Sequence, residues 1–274
     1  NSPSLPLGSS SSPSCVRATA LPPPPSPSLP LQALQSEVEA LFGPDPFAPV
    51  MAEDFTQWVV DDHFAAARPD LTQVGVTFTK NVDPYEEAKI RILNGGHTCL
   101  AYLGALAGHH TFDQAMADPE LFAHFEEFER GEVLPALVEA LPFDKNLYLD
   151  QIIMRFKNAS IGDTVERICA DGYLKFPIFI HPTLAGCLKQ GILPRAGLRA
   201  IASWYVFCKH IEAGTLPIAY GEPYWDNLRE LLQAGQVDRF ARSASLWGTL
   251  PQDHPEFTPA LIAAITEMEK KWPV

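Results

Sequence analysis

From Asp83 to its C-terminus the chain is a series of helix-forming segments bounded by proline, glycine and aspartate, and this pattern limits the fold more than any other. Apolar spacing and capping residues predict helices at 84–107, from Asp118-Pro119 onward, and at 145–156, 161–171, 194–213, 225–243 and 258–271. Ahead of them, 54–61 reads as a strand-leaning segment or a short helix, and 74–79 as a short strand. Because strands do not alternate with helices, a doubly wound parallel sheet is not supported. We therefore predict a mainly α, multi-helical domain with a few short strands.

The first 30 residues differ in composition from the rest. They are mostly Ser, Pro, Leu and Ala, with Arg17 as the only charge. Such a segment cannot build a core, so residues 1–30 are predicted to be disordered and residues 31–274 to form one helical domain. We expect a cytoplasmic protein. A serine-rich stretch without acidic residues is also typical of the end of a transit peptide, so organelle targeting stays open. The chain begins at Asn1 and not at Met, which favours a fragment, a processed product or an incomplete gene model.

Charge and cysteine content narrow the function classes. The net charge is -13, with 33 acidic and 20 basic residues, which argues against nucleic acid or an anionic membrane as a partner. The longest apolar run, at 201–208, is far shorter than the roughly 20 residues that cross a bilayer, and it is predicted to be a buried helix. The cysteines are scattered and form no CxxC pair, so we expect buried thiols and neither disulfides nor a metal site. They are Cys15, Cys99, Cys169, Cys187 and Cys208.

One short stretch, DPYEEAKIRILNGGH, contains three polar side chains at spacings that suit chemistry: Lys89, Asn94 and His97. On an ideal α-helix each residue turns by about 100°, so Asn94 lies about 140° and His97 about 80° from Lys89 on one broad face. Gly95 and Gly96 follow at once, and two helical glycines cost about 1 kcal/mol each relative to alanine. A helix accepts that cost where something approaches its backbone closely, or where it bends.

These three residue types suit proton transfer at a small polar substrate. A lysine amine buried in a cleft loses part of its preference for the charged form and can act as a general base. An asparagine amide can donate to an oxygen that gains negative charge, and a histidine can orient or polarise the same oxygen. The spacing alone fits equally a solvated lysine on an amphipathic helix and a local Asn-Gly defect. Residue types and spacing therefore leave both interpretations open.

The same residues resemble the active-site signature of the long-chain mannitol dehydrogenases, in their C-terminal domain. That signature is a lysine, four residues, Asn-Gly, one residue and a histidine, matched here by Lys89, Asn94-Gly95 and His97. FTQWVVDDHF with ARPD (55–70) and DGYLKFP (171–177) resemble further family segments in the same order. The resemblance extends over 47–274, and it implies the mainly helical fold of that family domain.

The resemblance also implies a role for each matching residue. Lys89 would be the general base that takes the proton from the substrate hydroxyl. Asn94 would stabilise the alkoxide-like transition state, and His97 would bind and position the same oxygen. Arg167 and Lys175 would hold distal substrate hydroxyls. The implied activity is metal-independent oxidation of a polyol such as mannitol, or reduction of a ketose such as fructose, with NAD or NADP.

The Rossmann domain that precedes this domain in the family has no counterpart in the sequence. No GxGxxG motif or βαβ pattern precedes Asp54, so no cofactor-binding residue is assigned. We expect an incomplete enzyme whose Rossmann partner lies on another chain or in a missing part of the gene. Two alternatives stay open: a fructuronate or tagaturonate reductase of the same family, with Arg167 and Lys175 pairing with a carboxylate, and a non-catalytic helical remnant or interaction domain.

Overall fold

A computed structural model describes residues 31–44, 55–137, 140–233 and 235–274, so the segment 1–30 predicted to be disordered lies outside the described residues. Helices dominate the described part, which confirms the predicted mainly α class. The α-helices are α1 (Leu31–Phe42), α2 (Asp83–Ala88), α3 (Gly95–Leu106), α4 (Phe112–Ala117), α5 (Pro119–Glu126), α6 (Leu134–Ala136), α7 (Lys145–Phe156), α8 (Val165–Cys169), α9 (Gly172–Lys175), α10 (His181–Lys189), α11 (Arg195–Ala213), α12 (Trp225–Leu232), α13 (Val237–Ala241), α14 (Ala244–Trp247), α15 (Leu250–Asp253) and α16 (Phe257–Lys271).

Two short strands precede α2. β1 (Trp58–Asp61) and β2 (Val76–Thr79) pair in parallel, so that Trp58 lies opposite Val76 and Asp61 lies opposite Thr79. The segment predicted at 54–61 therefore contains a strand and not a helix, and the strand predicted at 74–79 is confirmed over most of its length. A 3₁₀ turn leads into β2 and ends at Gly75, whose φ of 86° lies in the left-handed region that favours glycine.

Most predicted helices agree in their limits with the observed helices. Two differ, because one is shorter in the structure and the other is divided. α7, α11 and α16 begin and end within one residue of their predicted bounds. The helix predicted over 161–171 is only α8, because Gly162 adopts a φ of 62° and Thr164 then caps the helix by accepting a hydrogen bond from the Arg167 amide. The helix predicted over 225–243 is divided into α12 and α13, with Gly235 at a φ of 79° between them.

The centre of the fold is α11, which packs against both α3 and α16. The apolar run at 201–208 is fully buried within it, as predicted. Tyr102 on α3 packs edge-on against Phe207, with ring centroids 5.2 Å apart, and its hydroxyl donates to the Cys169 carbonyl oxygen at 2.8 Å. Since each such buried aromatic side chain contributes about 1.5–3 kcal/mol, α3 is firmly held in the core. The residues just before α3 are those of the candidate site.

Three π-helical turns interrupt the helices around this core, at Lys89–Asn94, Glu127–Val133 and Phe176–Ile180. The first joins α2 to α3. A single helical rod therefore runs from Asp83 to Leu106, close to the predicted 84–107, but it is not α-helical throughout.

Candidate active site

The segment that carries Lys89 and Asn94 is a π-helical turn, so the prediction of ideal α-helical angles between them was wrong. Its hydrogen bonds include one from the Gly95 amide to the Ile90 carbonyl oxygen, five residues back. A turn with i→i+5 bonds is wider than an α-helical turn, and a residue five places along returns closer to the starting face. Asn94 follows Lys89 by five residues, so the π turn brings it nearer to the lysine's face. Such turns are frequent at functional sites.

Lys89 lies at the start of this turn and is partly buried. Burial lowers the pKa of Lys89 below the ordinary value of a lysine, and the nearby carboxylate of Glu86 opposes that effect. Its ammonium makes no hydrogen bond or ion pair with any residue that the structure describes. A lysine with a lowered pKa and no fixed partner in this part of the chain has the properties of a proton acceptor.

His97 lies between two aromatic rings. Its ring stacks on Phe156, with centroids 4.1 Å apart and planes inclined by 27°, and it meets Phe112 edge-on at 4.7 Å. Burial, together with the positive charges of Arg167, Arg155, Lys175 and Lys89, lowers the pKa of His97 to about 3. The imidazole is therefore neutral at physiological pH, and one ring nitrogen carries a proton that can be donated.

Arg167 on α8 and Lys175 on α9 have positive charges that lower the pKa of His97. The Arg167 guanidinium is exposed and forms a bidentate ion pair with Asp163, in which Nε donates to Oδ1 at 2.6 Å. The Lys175 ammonium donates to the Ile168 carbonyl oxygen at 2.8 Å, and burial lowers the pKa of Lys175. Both residues lie on helices that are remote in sequence from the π turn.

Asn94 completes the set at the end of the turn. Its carbonyl oxygen accepts a hydrogen bond from the Thr98 hydroxyl at 2.9 Å, which fixes the main chain there. The side chain is partly exposed, and its amide has no hydrogen-bond partner among the described residues. Lys89 and Asn94 thus lie at the two ends of one turn with His97 just beyond it, and the charges of Arg167 and Lys175 act on the His97 ring. Their chemical roles stay predictions.

Gly95 and Gly96 allow neighbouring parts of the protein to pack closely against this helical segment. A Cβ on Gly95 would lie 3.3 Å from the Phe179 carbonyl oxygen, and a Cβ on Gly96 would lie 2.8 Å from Glu129 Oε1 and 2.9 Å from the Phe125 ring. The close approach expected at these positions is therefore present, but it comes from neighbouring helices packed behind the site.

The sequence did not predict Arg155 and Phe156, two residues at the end of α7 that surround His97. Phe156 is the stacking partner of His97, and the Arg155 charge contributes to the low pKa of that histidine. The Arg155 guanidinium also lies over the Phe55 ring, 4.5 Å from its centroid. These residues follow the signature by almost 60 positions and belong to no motif. Only their packing against the π turn identifies them.

A buried carboxyl group behind the turn was also missed. Glu129 is fully buried, and neither of its oxygens has a hydrogen-bond partner among the described residues. Burial raises the pKa of Glu129 well above its usual range, against the opposing charge of Arg91. Arg91 lies within the π turn, where it donates to Glu87 at 2.9 Å and to the Thr183 hydroxyl at 3.2 Å. The back of the turn is therefore held by polar side chains.

Other features of the described residues bear on the remaining predictions. Cys99, Cys169, Cys187 and Cys208 are free and buried, as expected, and Cys15 lies outside the described residues. Within the described ranges, no group of three or more His, Cys, Asp or Glu side chains could hold a metal ion. No described helix combines the length and the apolar character that a bilayer-spanning segment needs.

Comparison with known proteins places this geometry in a family. The sequence model of the mannitol dehydrogenase C-terminal domain matches residues 81–269, which include the π turn, α8 and α9. The chain belongs to the mannitol dehydrogenase family. The family named from the signature at Lys89, Asn94 and His97 is thereby confirmed.

Named dehydrogenases match the chain over most of its length. D-arabinitol 4-dehydrogenase of Klebsiella pneumoniae is 38% identical over 224 residues, which cover 81% of this chain and 49% of that protein. Mannitol 2-dehydrogenase of Cereibacter sphaeroides is 38% identical over 72% of this chain and 41% of its own length. The chain spans about half the length of the relatives it matches.

Two solved structures share the fold. Mannitol 2-dehydrogenase of Pseudomonas fluorescens, in a ternary complex with NAD and D-mannitol, superimposes with a TM-score of 0.77 at 31% identity, covering 87% of this chain and 49% of that one. A substrate-free D-sorbitol dehydrogenase gives a TM-score of 0.76 at 28% identity, over 86% and 49%. The helical domain described above is therefore the half of the family fold that this chain represents.

Proposed function

We propose that this chain is the substrate-binding and catalytic half of a metal-independent polyol dehydrogenase that oxidises a secondary alcohol with NAD. The proposal is carried by the π turn that holds Lys89 and Asn94 next to His97, together with the charges of Lys89, Arg167 and Lys175 that lower the pKa of the imidazole. The family membership supports the reaction class, and the solved relative that contains NAD and D-mannitol supports the cofactor and the substrate class. NAD accepts the hydride when it is bound.

In the proposed reaction Lys89 Nζ removes the proton from the reacting hydroxyl. Its lowered pKa leaves a larger neutral fraction near physiological pH than an exposed lysine has. The Asn94 amide donates to the same oxygen as negative charge develops there. The His97 ring, neutral because its pKa is about 3, donates its N–H and so orients the oxygen without exchanging a proton.

Arg167 and Lys175 hold the far end of the substrate in this proposal. A polyol fits them better than a hexuronate, because the Arg167 guanidinium already pairs with the Asp163 carboxylate in bidentate geometry. A substrate carboxylate would have to compete with that pair, whereas a hydroxyl can accept from the remaining donors. Fructuronate or tagaturonate reduction remains the alternative substrate class, and a direct comparison of fructose with fructuronate distinguishes the two.

The nicotinamide-binding half is expected outside this chain, because no dinucleotide motif precedes Asp54 and the relatives are twice as long. The test is therefore a fusion of this chain to the N-terminal half of the Klebsiella D-arabinitol 4-dehydrogenase. We expect NAD-linked oxidation of D-mannitol or D-arabinitol, and a loss of at least about 10²-fold in kcat for Lys89→Ala, as is typical when a general base is removed.

Lys189→Ala is the matched control, because Lys189 is an exposed lysine at the end of α10 and should leave kcat unchanged. Circular dichroism of each variant checks that the fold is intact. A folded Lys89→Ala fusion with unchanged turnover would remove Lys89 as the base. A folded fusion without any activity would favour the non-catalytic remnant.

A further inference from the structure

A cavity of about 550 Å³ opens between the helices α5, α11 and α16. Its volume lies within the roughly 300–1,000 Å³ that is usual for small-molecule sites. Among the described residues that line it, none belongs to the candidate active site. The proposed oxidation therefore gives this cavity no role, and its wall and rim determine which molecule it can hold.

The inner wall of the cavity is apolar. It is lined by Leu103 of α3, Leu121 of α5, Leu198 of α11 and Met268 of α16, and each of these is at most 5% exposed. Ala264 also lines the cavity, and its short side chain leaves the room between α16 and the other helices unfilled. Since burial of each CH₂ group contributes about 0.8 kcal/mol, such a wall favours a ligand with a hydrocarbon body.

The rim of the cavity carries more positive than negative side chains. Among the described lining residues the cations are Arg195, Arg199 and Lys271, and the acids are Glu120 and Glu267. The protein as a whole has a net charge of -13, so this local excess has the opposite sign. The Lys271 ammonium pairs with the Glu120 carboxylate. The Arg195 guanidinium forms no hydrogen bond or ion pair with any residue that the structure describes, so it can receive an anion.

A buried histidine holds Arg199 at the inner wall. Arg199 Nη1 lies 3.2 Å from His124 Nδ1, and His124 Nε2 lies 3.2 Å from the Cys99 sulfur. Burial, together with the charges of Arg199 and Lys271, lowers the pKa of His124 to about 3. The ring is therefore neutral at physiological pH, and it accepts from the guanidinium without cancelling its charge. The acidic partner of Arg199 is Glu127, at 3.4 Å, and both side chains are 45% exposed, so the pair is weak and a ligand anion can compete for it.

We propose that this cavity binds a small aliphatic carboxylate, with its carboxylate group on Arg195 and Arg199 and its hydrocarbon chain on Leu121, Leu198 and Met268. Guanidinium groups bind carboxylates through pairs of N–H donors, which matches the head group to the rim. A small anion without an apolar body would leave the inner wall in contact with water, and a neutral apolar molecule would leave the Arg195 guanidinium unpaired. The site is independent of the proposed polyol oxidation.

Calorimetric titration of the full 274-residue chain tests the ligand class. The probes are octanoate, octan-1-ol and octylamine, which share one hydrocarbon body and differ in the head group. We expect octanoate to bind with a Kd of about 1 mM or below, and about tenfold or more tightly than either of the other two.

Each other result overturns the proposal. Equal binding of octanoate and octan-1-ol would mean that the cavity selects only for an apolar body. Tighter binding of octylamine would mean that the acids Glu120 and Glu267 determine the ligand. Absence of binding by all three probes would mean that the cavity is not a site for molecules of this size.

A substitution at the rim tests the charge. Arg195→Gln removes the exposed guanidinium, so we expect octanoate to bind about fivefold more weakly and octan-1-ol to bind as before. Arg229→Gln is the matched control, because Arg229 is an exposed arginine on α12 that does not line the cavity, and it should change the affinity less than about twofold. Equal affinities of the two variants for octanoate would overturn the proposal.

A substitution at the wall tests the location. Ala264→Phe fills the cavity with an aromatic ring, so octanoate binding should be lost. Ala263→Trp, at an exposed lining position one residue earlier, obstructs the cavity from its edge and is measured as well, so that the location is tested even where Ala264→Phe does not fold. Circular dichroism checks the fold of each variant. Undiminished octanoate binding in either folded variant would place the ligand elsewhere on the chain and overturn the proposal.

Discussion

At the scale of single residues, the candidate site depends on how the protein changes the protonation of ordinary side chains. Lys89 and His97 would both be charged or partly charged in water at mildly acidic pH. Burial lowers both pKa values, so a larger fraction of the amine is uncharged and able to accept a proton, and the imidazole is neutral at physiological pH. The environment of each side chain therefore determines its protonation.

The titration of Lys89 is a direct prediction. Its pKa should lie below 10.5, and Glu86→Gln should lower it further, because the Glu86 carboxylate is the group that favours the charged amine. The pKa can be measured on the chain itself from the pH dependence of acetylation, with Lys189 as an exposed reference. Polyol oxidation by the fusion should rise with pH through the same value. A Glu86→Gln chain with an unchanged or higher Lys89 pKa would contradict the assignment.

Gly96 is predicted to be required by packing. Gly96→Ala puts a methyl group against Glu129 and Phe125 at less than 3.0 Å, so we expect a loss of about 1–3 kcal/mol in the free energy of unfolding. Gly131→Ala is the control, because a Cβ there meets nothing within 4 Å and its change should be neutral or stabilising. Urea unfolding of both variants measures the difference, and equal stabilities would show that the back of the turn adapts.

At the scale of secondary-structure elements, the three π-helical turns decide where helices meet. The turn at Lys89–Asn94 changes the face on which Asn94 lies, and the turn at Glu127–Val133 brings Glu132 to the start of α11. There the Glu132 carboxylate accepts hydrogen bonds from the amides of Ala196 and Gly197, at 2.7 and 2.8 Å. A carboxylate from a distant element thus caps the central helix, whose own N-terminus provides no side-chain cap.

The cap on α11 can be tested by removing it. Glu132→Ala leaves two buried amides without an acceptor, so we expect a destabilisation of about 1–3 kcal/mol in urea unfolding. Glu132→Gln keeps one oxygen and should lose less. Glu267→Ala, at an exposed position on α16, should stay within about 0.5 kcal/mol of the parent chain. Equal losses at positions 132 and 267 would mean that α11 does not depend on this cap.

At the scale of the whole molecule, the core contains buried histidines with lowered pKa values and buried glutamates with raised pKa values. Burial lowers the pKa values of His97 and His124 to about 3, and it raises that of Glu132 to about 7 and that of Glu129 well above its usual range. In the pH range between the ordinary pKa values of Glu and His, the unfolded chain binds more protons than the folded chain at the histidines and fewer at the glutamates. The contributions of the two residue types to the pH dependence of stability therefore oppose each other.

The expected pH profile follows from these signs. The free energy of unfolding should fall below about pH 4.5, where the histidines and the aspartates with lowered pKa values, such as Asp118 and Asp144, bind more protons in the unfolded chain. Glu132→Gln removes one opposing group, so its stability relative to the parent chain should decrease by about 1 kcal/mol per pH unit as the pH falls from about 6.5 to 4.5. Urea unfolding across this range measures both slopes. Equal slopes in Glu132→Gln and the parent chain would contradict the compensation.

Local patterns were enough to predict the helical class, the strand at 74–79 and the bounds of α7, α11 and α16. Helix caps, apolar spacing and a family signature are properties of neighbouring residues, so they can be read along the chain. The breaks at Gly162 and Gly235 were missed, because a glycine shows its left-handed conformation only when the surrounding helices are packed.

What only the tertiary structure decided is the environment of each group. The sequence by itself determined that a lysine, a carboxamide and an imidazole lie on one helical segment in a mainly helical domain. Packing decided that this segment is a π turn, that Phe156 and Arg155 reach it from α7, and that the buried Glu129 packs behind it. The physical reason is that pKa values and the choice of an i→i+5 turn depend on desolvation and contacts, and these arise from residues far apart in the chain.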